Sequence, residues 1–397
     1  MSILKVLHVI PAVAPRYGGP SRAVFEMCRA LNARGVETLI ATTDADGPGR
    51  LPVQIAEPAL YNGTQTIFFP RQWSETFGYS HALALWLDVN ASRFDVAHIH
   101  AVFSHPCIAA AAACRKRRVP YIIRPLGSLD PWSMSQKAFR KRIMWRVAVK
   151  RMLDGAAAIH YTTADEQRLA EGSLAVGRGV VVPLGVEIEP TPERAQPVSG
   201  PYVITLNRLH PKKNIELLLK VFLSITKAPE LSHWKLVIAG DGEPDYVERL
   251  KRIAKEYGAG ERVVFTGWLG GPERVSALRG ASLLALISHQ ENFGLAAVEA
   301  LAYGVPVIVS RGVNLASKIE ESGAGWVTPL DEASISRALS AALSDPDELR
   351  RRGETGPGFI ASSFAWSKVA ANLTALYNSV VSKKREPELK ITGESFA

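Results

Sequence analysis

Short apolar runs rich in β-branched residues alternate along this chain with stretches whose apolar residues recur every three or four positions, and the whole alternation occurs twice. In the first half, residues 6–10 precede an amphipathic stretch over 21–34 and then 36–42; further runs follow at 96–100, 121–124 and 157–161. Strand, helix and strand in that rhythm predict a parallel sheet covered by helices. Between 181 and 201 the pattern breaks into Pro183, Pro190, Pro192, Pro197 and Pro201 with Gly185 and Gly200, the composition of a linker. The rhythm then restarts at 202–206, 235–240, 263–266, 283–287 and 305–309. A chain of 397 residues is too long for one ordinary core and suits two. The expected layout is a first domain over 1–190, a linker over 191–201 and a second domain over 202–364. A terminal amphipathic helix over 365–382 would carry Trp366, Val369, Leu373, Leu376, Tyr377 and Val380, and a Lys-, Glu- and Ser-rich tail over 383–397 would be flexible.

Composition narrows the class. The chain is 47% hydrophobic and 21% charged, which describes a folded protein rather than a disordered one. Cys28, Cys107 and Cys114 are odd in number and lack paired spacing, so neither a disulfide framework nor a zinc site is expected. The chain opens directly into an apolar strand without the layout of a secretory leader, and no apolar run reaches the length of a membrane span. The expected location is the cytoplasm, with any membrane contact at the surface.

The net charge of +9 does not by itself choose among nucleic acid, anionic lipid and phosphorylated ligands. Its placement says more. Lys137, Arg140, Lys141, Arg142, Arg146, Lys150 and Arg151 fall within fifteen residues that hold no acidic side chain, interleaved with Phe139, Ile143, Met144, Trp145, Val147 and Val149. This pattern predicts a basic amphipathic helix, either a solvated helix with its apolar stripe in the core or a surface for anionic lipid headgroups or a lipid-diphosphate acceptor. Nucleic-acid binding has only the net charge behind it and no recognisable module, and is not expected.

The stretch 288–308 carries the most chemistry. A strand ends near Ser288, a loop holds Glu291, Asn292 and Phe293, and a helix runs from about Gly294 and Leu295 to Gly304. Unsatisfied N–H groups at that helix start favour a phosphate, and Gly294 allows close backbone approach. Glu291 and Glu299 lie eight residues apart, about 12 Å along an ideal helix, too far to share one metal or act as a paired acid and base. Either they serve different parts of one extended ligand, Glu291 accepting from hydroxyls of a sugar and Glu299 from a ribose diol, or both are solvated charges on a helix face. Upstream, Arg208 and Lys213 follow the first strand of the second half, ahead of a helix expected to be capped by Asn214. Two cations at a strand's carboxyl end suit a diphosphate, the guanidinium as a fork and the ammonium as a point charge. In the first half, Tyr17-Gly18-Gly19-Pro20-Ser21 is a glycine-rich loop before a helix, either an anion loop that completes a diphosphate site or a plain tight turn; it is not the dinucleotide fingerprint. Asp44 and Asp46, beside Gly47-Pro48-Gly49, read as a turn rather than a metal site.

Together these segments resemble the retaining glycosyltransferases of family 4 and their GT-B fold. The resemblance rests on the Glu291-x7-Glu299 spacing with its Gly304-Val305-Pro306-Val307-Ile308 sequel and on Arg208 with Lys213. It implies an α/β protein of two Rossmann-like parallel-sheet domains facing across a cleft, the acceptor on the first and the donor on the second. By the same likeness Arg208 and Lys213 meet the diphosphate, Glu291 the donor sugar and Glu299 the ribose, while Gly267 and Trp268 flank the nucleotide base. The stretch 121–132 followed by the basic helix is similar to members that assemble bacterial surface polysaccharides. Many members carry a histidine before the glycine of that loop; here Leu126 stands there, leaving His100, His105 or no side chain for the reaction centre, with Arg124 nearby.

The resemblance further implies transfer of a hexose from a UDP- or GDP-linked sugar to a glycan or polyprenyl-diphosphate-linked acceptor, with no cofactor and no essential metal. A non-catalytic nucleotide-sugar-binding protein is the main alternative, and an NAD-dependent oxidoreductase, whose glycine fingerprint is missing, the weaker one.

Overall fold

The computed structural model describes residues 3–75, 77–174, 176–188 and 196–385; the core of the expected linker (191–195) and the tail from 386 lie outside the described residues. The chain divides into two compact units. The first comprises 1–161, 169–182 and 367–397, and the second 162–168 and 183–366.

The first unit holds an eight-stranded sheet. Its order is Gly179–Val181, Ala158–Tyr161, Tyr121–Arg124, Val96–His100, Lys5–Ala12, Glu37–Thr43, Thr64–Phe69 and Pro58–Tyr61, with every neighbouring pair parallel except the last. Strands buried on both faces explain their continuous apolar runs. Leu7, Val9, Ile99 and Ile123 pack with Cys107, Ala110 and Ala111 of the His105–Lys116 helix and Leu83 and Leu87 of the His81–Asn90 helix. Three strands here, at 58–61, 64–69 and 179–181, were not anticipated from the sequence; 58–61 and 179–181 are short edge strands, and 64–69 opens on the polar Thr64-Gln65-Thr66. The Trp366–Arg385 helix buries Val369, Ala370, Leu373, Tyr377, Val380 and Val381.

The second unit has six strands, all parallel. They lie in the order Val263–Gly267, Lys235–Ala239, Tyr202–Leu206, Leu283–Leu286, Val307–Ser310 and Gly325–Thr328. Counted along the chain this order is third, second, first, fourth, fifth, sixth, the doubly wound arrangement of dinucleotide-binding folds. The direction of winding reverses between Tyr202–Leu206 and Leu283–Leu286, so the loops leaving those two strands diverge and open a crevice at their carboxyl ends. The strand expected over 305–309 begins at Val307, because Pro306 has no N–H to give the ladder. Gly325–Thr328 was not anticipated.

Two further helices place the crevice wall. Ile215–Ile225 buries Ile215, Leu218, Leu219 and Phe222 against Val203 and Ile238. Asn214 precedes it in the left-handed conformation (φ 52°) and its side chain makes no capping bond. The expected cap is therefore absent; instead His210 Nδ1 accepts from the Lys212 amide at 3.1 Å, in the single turn Pro211–Lys213. The Leu295–Ala302 helix packs on Pro346–Phe364, where Gly356 lets backbones approach: a Cβ there would lie 2.5 Å from the Leu301 carbonyl oxygen.

Candidate functional site

Two of the charged residues singled out above, Lys213 and Glu291, meet at the carboxyl ends of the second unit's central strands. Lys213, at the end of the turn after the first strand, forms an ion pair with Glu291, in the loop after the fourth. The two are 78 positions apart in sequence and their side chains are 16% and 19% exposed. Backbone bonds hold both loops in place: the His289 amide donates to Lys212 O at 2.9 Å, and Glu291 pairs through N–H to Gly312 O at 2.8 Å and through its carbonyl to the Asn314 amide at 3.0 Å. Arg208 is exposed at the same strand end, and among the described residues no carboxylate pairs with it. Burial, then Arg208, Lys212 and Lys213, push the pKa of His210 down. Arg208, Lys212 and Lys213 together place three positive charges around this turn, a setting that suits an anion.

Glu299 is buried, 6% exposed at its side chain, and bound by Arg274, itself 15% exposed. Arg274 stands in the first turn of the Gly271–Arg279 helix and was missed in the sequence. A cation there opposes the helix dipole unless something holds it, which was the available signal. Gly294 is left-handed (φ 77°) and buried, and a Cβ would meet Val313 at 3.2 Å and Leu286 at 3.4 Å. Its glycine thus serves the fold as well as any ligand. Asn292 Nδ2 donates to Thr162 Oγ1 at 3.1 Å. Phe293 is a core side chain, edge-on to Phe364 with centroids 5.6 Å apart; any donor contact at 293 falls to its backbone. Leu295 opens the helix, partly exposed. Gly267 ends its strand at φ 69°, and Trp268 beside it is 53% exposed, a flat apolar face available to a ring.

In the first unit, Gly18 (φ 74°) caps the fourteen-residue Gly19–Asn32 helix, and a Cβ at Gly18 would meet nothing within 4 Å. Tyr17 OH accepts from the Gly47 amide at 2.9 Å and contacts Glu75 at 3.2 Å. Asp46 and Gly49 pair across an antiparallel turn, with Asp44 accepting from the Arg71 amide at 2.7 Å and Asp46 facing Arg16 at 3.3 Å, so these carboxylates are structural.

His100 and Arg124, paired in register at the ends of adjacent strands, are both fully buried. His100 Nε2 lies 3.0 Å from His8 Nδ1, and His98 joins His160 at 3.1 Å and Tyr377 OH at 2.8 Å. Burial first, then Arg124, lowers His8 and His160 to about 3; burial and neighbouring cationic groups hold His98 and His100 well below 6.5. His8, His98 and His100 bring ligand nitrogens within 4.8 Å of one another, yet the bonds above already occupy both nitrogens of His98 and one each of the others. His105, by contrast, is half-buried at a helix start, 4.4 Å by ring centroid from Tyr79. Leu126 is left-handed (φ 59°), strained for a side chain that is not glycine. The expected basic helix is three pieces, Ala138–Met144, a π-helical Trp145–Val149 and Lys150–Asp154.

Comparison with known proteins agrees with this architecture. A family model for glycosyl transferases group 1 matches residues 190–358, and one for a glycosyl transferase 4-like domain matches 18–185. The chain belongs to the GT-B-fold glycosyltransferases. This glycosyltransferase is 27% identical to the D-inositol 3-phosphate glycosyltransferase of Corynebacterium glutamicum (strain R) over 60% of its own length and 61% of the relative's. It is 23% identical to the GDP-mannose:cellobiosyl-diphosphopolyprenol alpha-mannosyltransferase of Komagataeibacter xylinus over 96% of its own length and 94% of the relative's. With three curated relatives that it matches well, the aligned region spans 49–61% of their length. Among solved structures, sucrose-phosphate synthase from Thermosynechococcus elongatus superposes with a TM-score of 0.75 at 20% identity, covering 96% of the glycosyltransferase and 100% of that chain. Anabaena Alr3699/HepE in complex with UDP-glucose gives 0.75 at 18%, covering 95% and 100%. These likenesses concern the fold. No helix among the described residues is long and apolar enough to cross a membrane.

Proposed function

We propose that the chain is a retaining hexosyltransferase that moves a sugar from a UDP- or GDP-linked donor to a glycan or lipid-linked saccharide acceptor during surface-polysaccharide assembly. The observation that carries this reading is the meeting of Lys213 with Glu291 at the switch point of the second sheet, with Arg208 exposed just after the same strand as Lys213. A diphosphate would draw Lys213 and Arg208 to its oxygens and free the Glu291 carboxylate for hydroxyls of the donor sugar. Glu299, held by Arg274, would accept from the ribose, and Trp268 with Gly267 would face the base. Asn292, Gly294 and Leu295 would contribute backbone at the helix start, as Gly18 and Gly19 would in the first unit. The name of the Komagataeibacter relative, a mannosyltransferase acting on a diphosphopolyprenol-linked disaccharide, supports a lipid-linked acceptor and work at a membrane surface.

In this mechanism the bond from the anomeric carbon to the leaving phosphate oxygen breaks as the acceptor oxygen attacks from the same face. The acceptor's proton passes to that leaving oxygen, so no protein carboxylate need act as nucleophile. Arg208 and Lys213 stabilise the charge that develops on the diphosphate. Of the residues considered for the reaction centre, His105 is the histidine with solvent access.

A thermal-shift panel of UDP, GDP and ADP with their sugar conjugates tests the donor, because a ligand of the native state raises Tm. One nucleotide series should stand out, and its sugar should then appear in product with unchanged anomeric configuration. No shift with any nucleotide would overturn the reading, and an inverted product would overturn retention.

A further inference from the structure

The helical segment 138–154 carries two apolar stripes on opposite sides. The inner one, with Val149, Met152 and Leu153 buried and Met144 and Trp145 packed against them, belongs to the core of the first unit. The outer one consists of Phe139, Ile143 and Val147, which are 75%, 49% and 76% exposed. Their spacing is four and four. In an α-helix each step of four advances the face by roughly 40°, so the stripe would drift toward the flank. The wider π turn over Trp145–Val149 winds less per residue and holds Val147 in line with Ile143.

Charge frames this stripe. No Asp or Glu occurs from 137 to 153. Arg142, Arg146 and Lys150, again four apart, run along one flank and Arg140 along the other. Lys141 turns inward, bonding Ser133 O and lying 5.2 Å from the Phe103 ring, and Lys150 meets Asp154 at 2.7 Å. Among the described residues, Lys137, Arg140, Arg142, Arg146 and Arg151 have no carboxylate partner. Leu85 and Val89 are exposed at the same spacing on the His81–Asn90 helix, yet Asp88 sits between them and that helix carries no Lys or Arg.

We propose that 138–154 is a docking surface for an anionic phospholipid bilayer, with Phe139, Ile143 and Val147 entering the boundary between headgroups and acyl chains. The arginines, their stems along the apolar stripe, would pair with lipid phosphates. Cations alone would suit nucleic acid, and apolar groups alone a protein partner; interfacial helices use both on one face. The proposal rests on the lipid-linked-acceptor reading for its purpose, since docking would bring the enzyme to an acceptor anchored in the membrane.

Flotation of the full chain with vesicles of phosphatidylcholine, with and without phosphatidylglycerol, tests it. Wild type should float with the anionic vesicles and lose more than about tenfold in partition without phosphatidylglycerol or at high salt. F139S/I143S/V147S and R142E/R146E should each lose as much, while still binding the nucleotide that wild type binds. Absence of wild-type binding, or undiminished binding by either variant, would overturn the proposal. So would a wild-type oligomer that the serine variant dissolves, because the stripe would then be an interface between copies. Vesicle binding without transfer to any lipid-linked saccharide would instead count against the acceptor reading and leave docking intact.

Discussion

Lys213 and Glu291, 78 positions apart in sequence, form an ion pair at the point where the winding of the second sheet reverses. Each holds the other at the place to which the proposed function assigns a diphosphate and a sugar. Lys213→Ala and Arg208→Ala should each lower kcat on the order of a hundredfold with a smaller effect on nucleotide affinity. Steady-state kinetics with calorimetric nucleotide binding would check this, and unchanged turnover in both variants would defeat the assignment.

Glu299 and Arg274 are a less exposed pair, and removing one partner takes away compensation for the other's buried charge. Glu299→Ala should destabilise the second unit by about 3 kcal/mol, whereas the double change Glu299→Gln with Arg274→Met should recover part of that loss. Urea denaturation measures the stability. If Glu299 also meets ribose, the double variant stays weak for nucleotide despite its recovered fold; full nucleotide affinity would leave Glu299 a purely structural role.

The histidines of the first unit predict an acid limit. His8 and His160 titrate near 3 in the folded protein against 6.5 unfolded, and His98 and His100 are lowered in the same direction. The unfolded chain therefore binds more protons as pH falls below 6.5, and stability declines from there toward pH 3, by at most about 1.4 kcal/mol per histidine per pH unit. Denaturation midpoints measured from pH 8 down to 5 should fall, and His160→Gln should flatten the slope. A level profile would mean that these rings are protonated when folded.

Gly356 sets how closely the Glu299 helix approaches its neighbour. In Gly356→Ala the new methyl would press on the Leu301 carbonyl, costing about 1–3 kcal/mol and weakening nucleotide binding by displacing Glu299. A crystal structure or thermal melt of the variant would show it; wild-type stability would refute the packing argument.

Much of this was legible in the residues. Strands 96–100, 121–124 and 202–206 coincide with the expected runs, because parallel strands buried on both faces are continuous apolar stretches. The edge strands 58–61 and 179–181 were not, since they bury too little to leave a pattern. Asn214 has the composition of a cap but the backbone of a left-handed turn, and Phe293 sits in the stretch expected to bind the donor while packing on Phe364.

Local physics settled the alternation, the break near 181–201 and the carboxylates and cations at strand ends, since each depends on neighbours within a few residues. Tertiary structure alone decided who meets whom. Strand order brought Glu291 to Lys213, helix packing brought Arg274 to Glu299, and sheet register stacked four histidines beside Arg124. It also decided which stripe of 138–154 faced the core and which stayed outside, because only the packed sheet selects between two apolar faces of one helix.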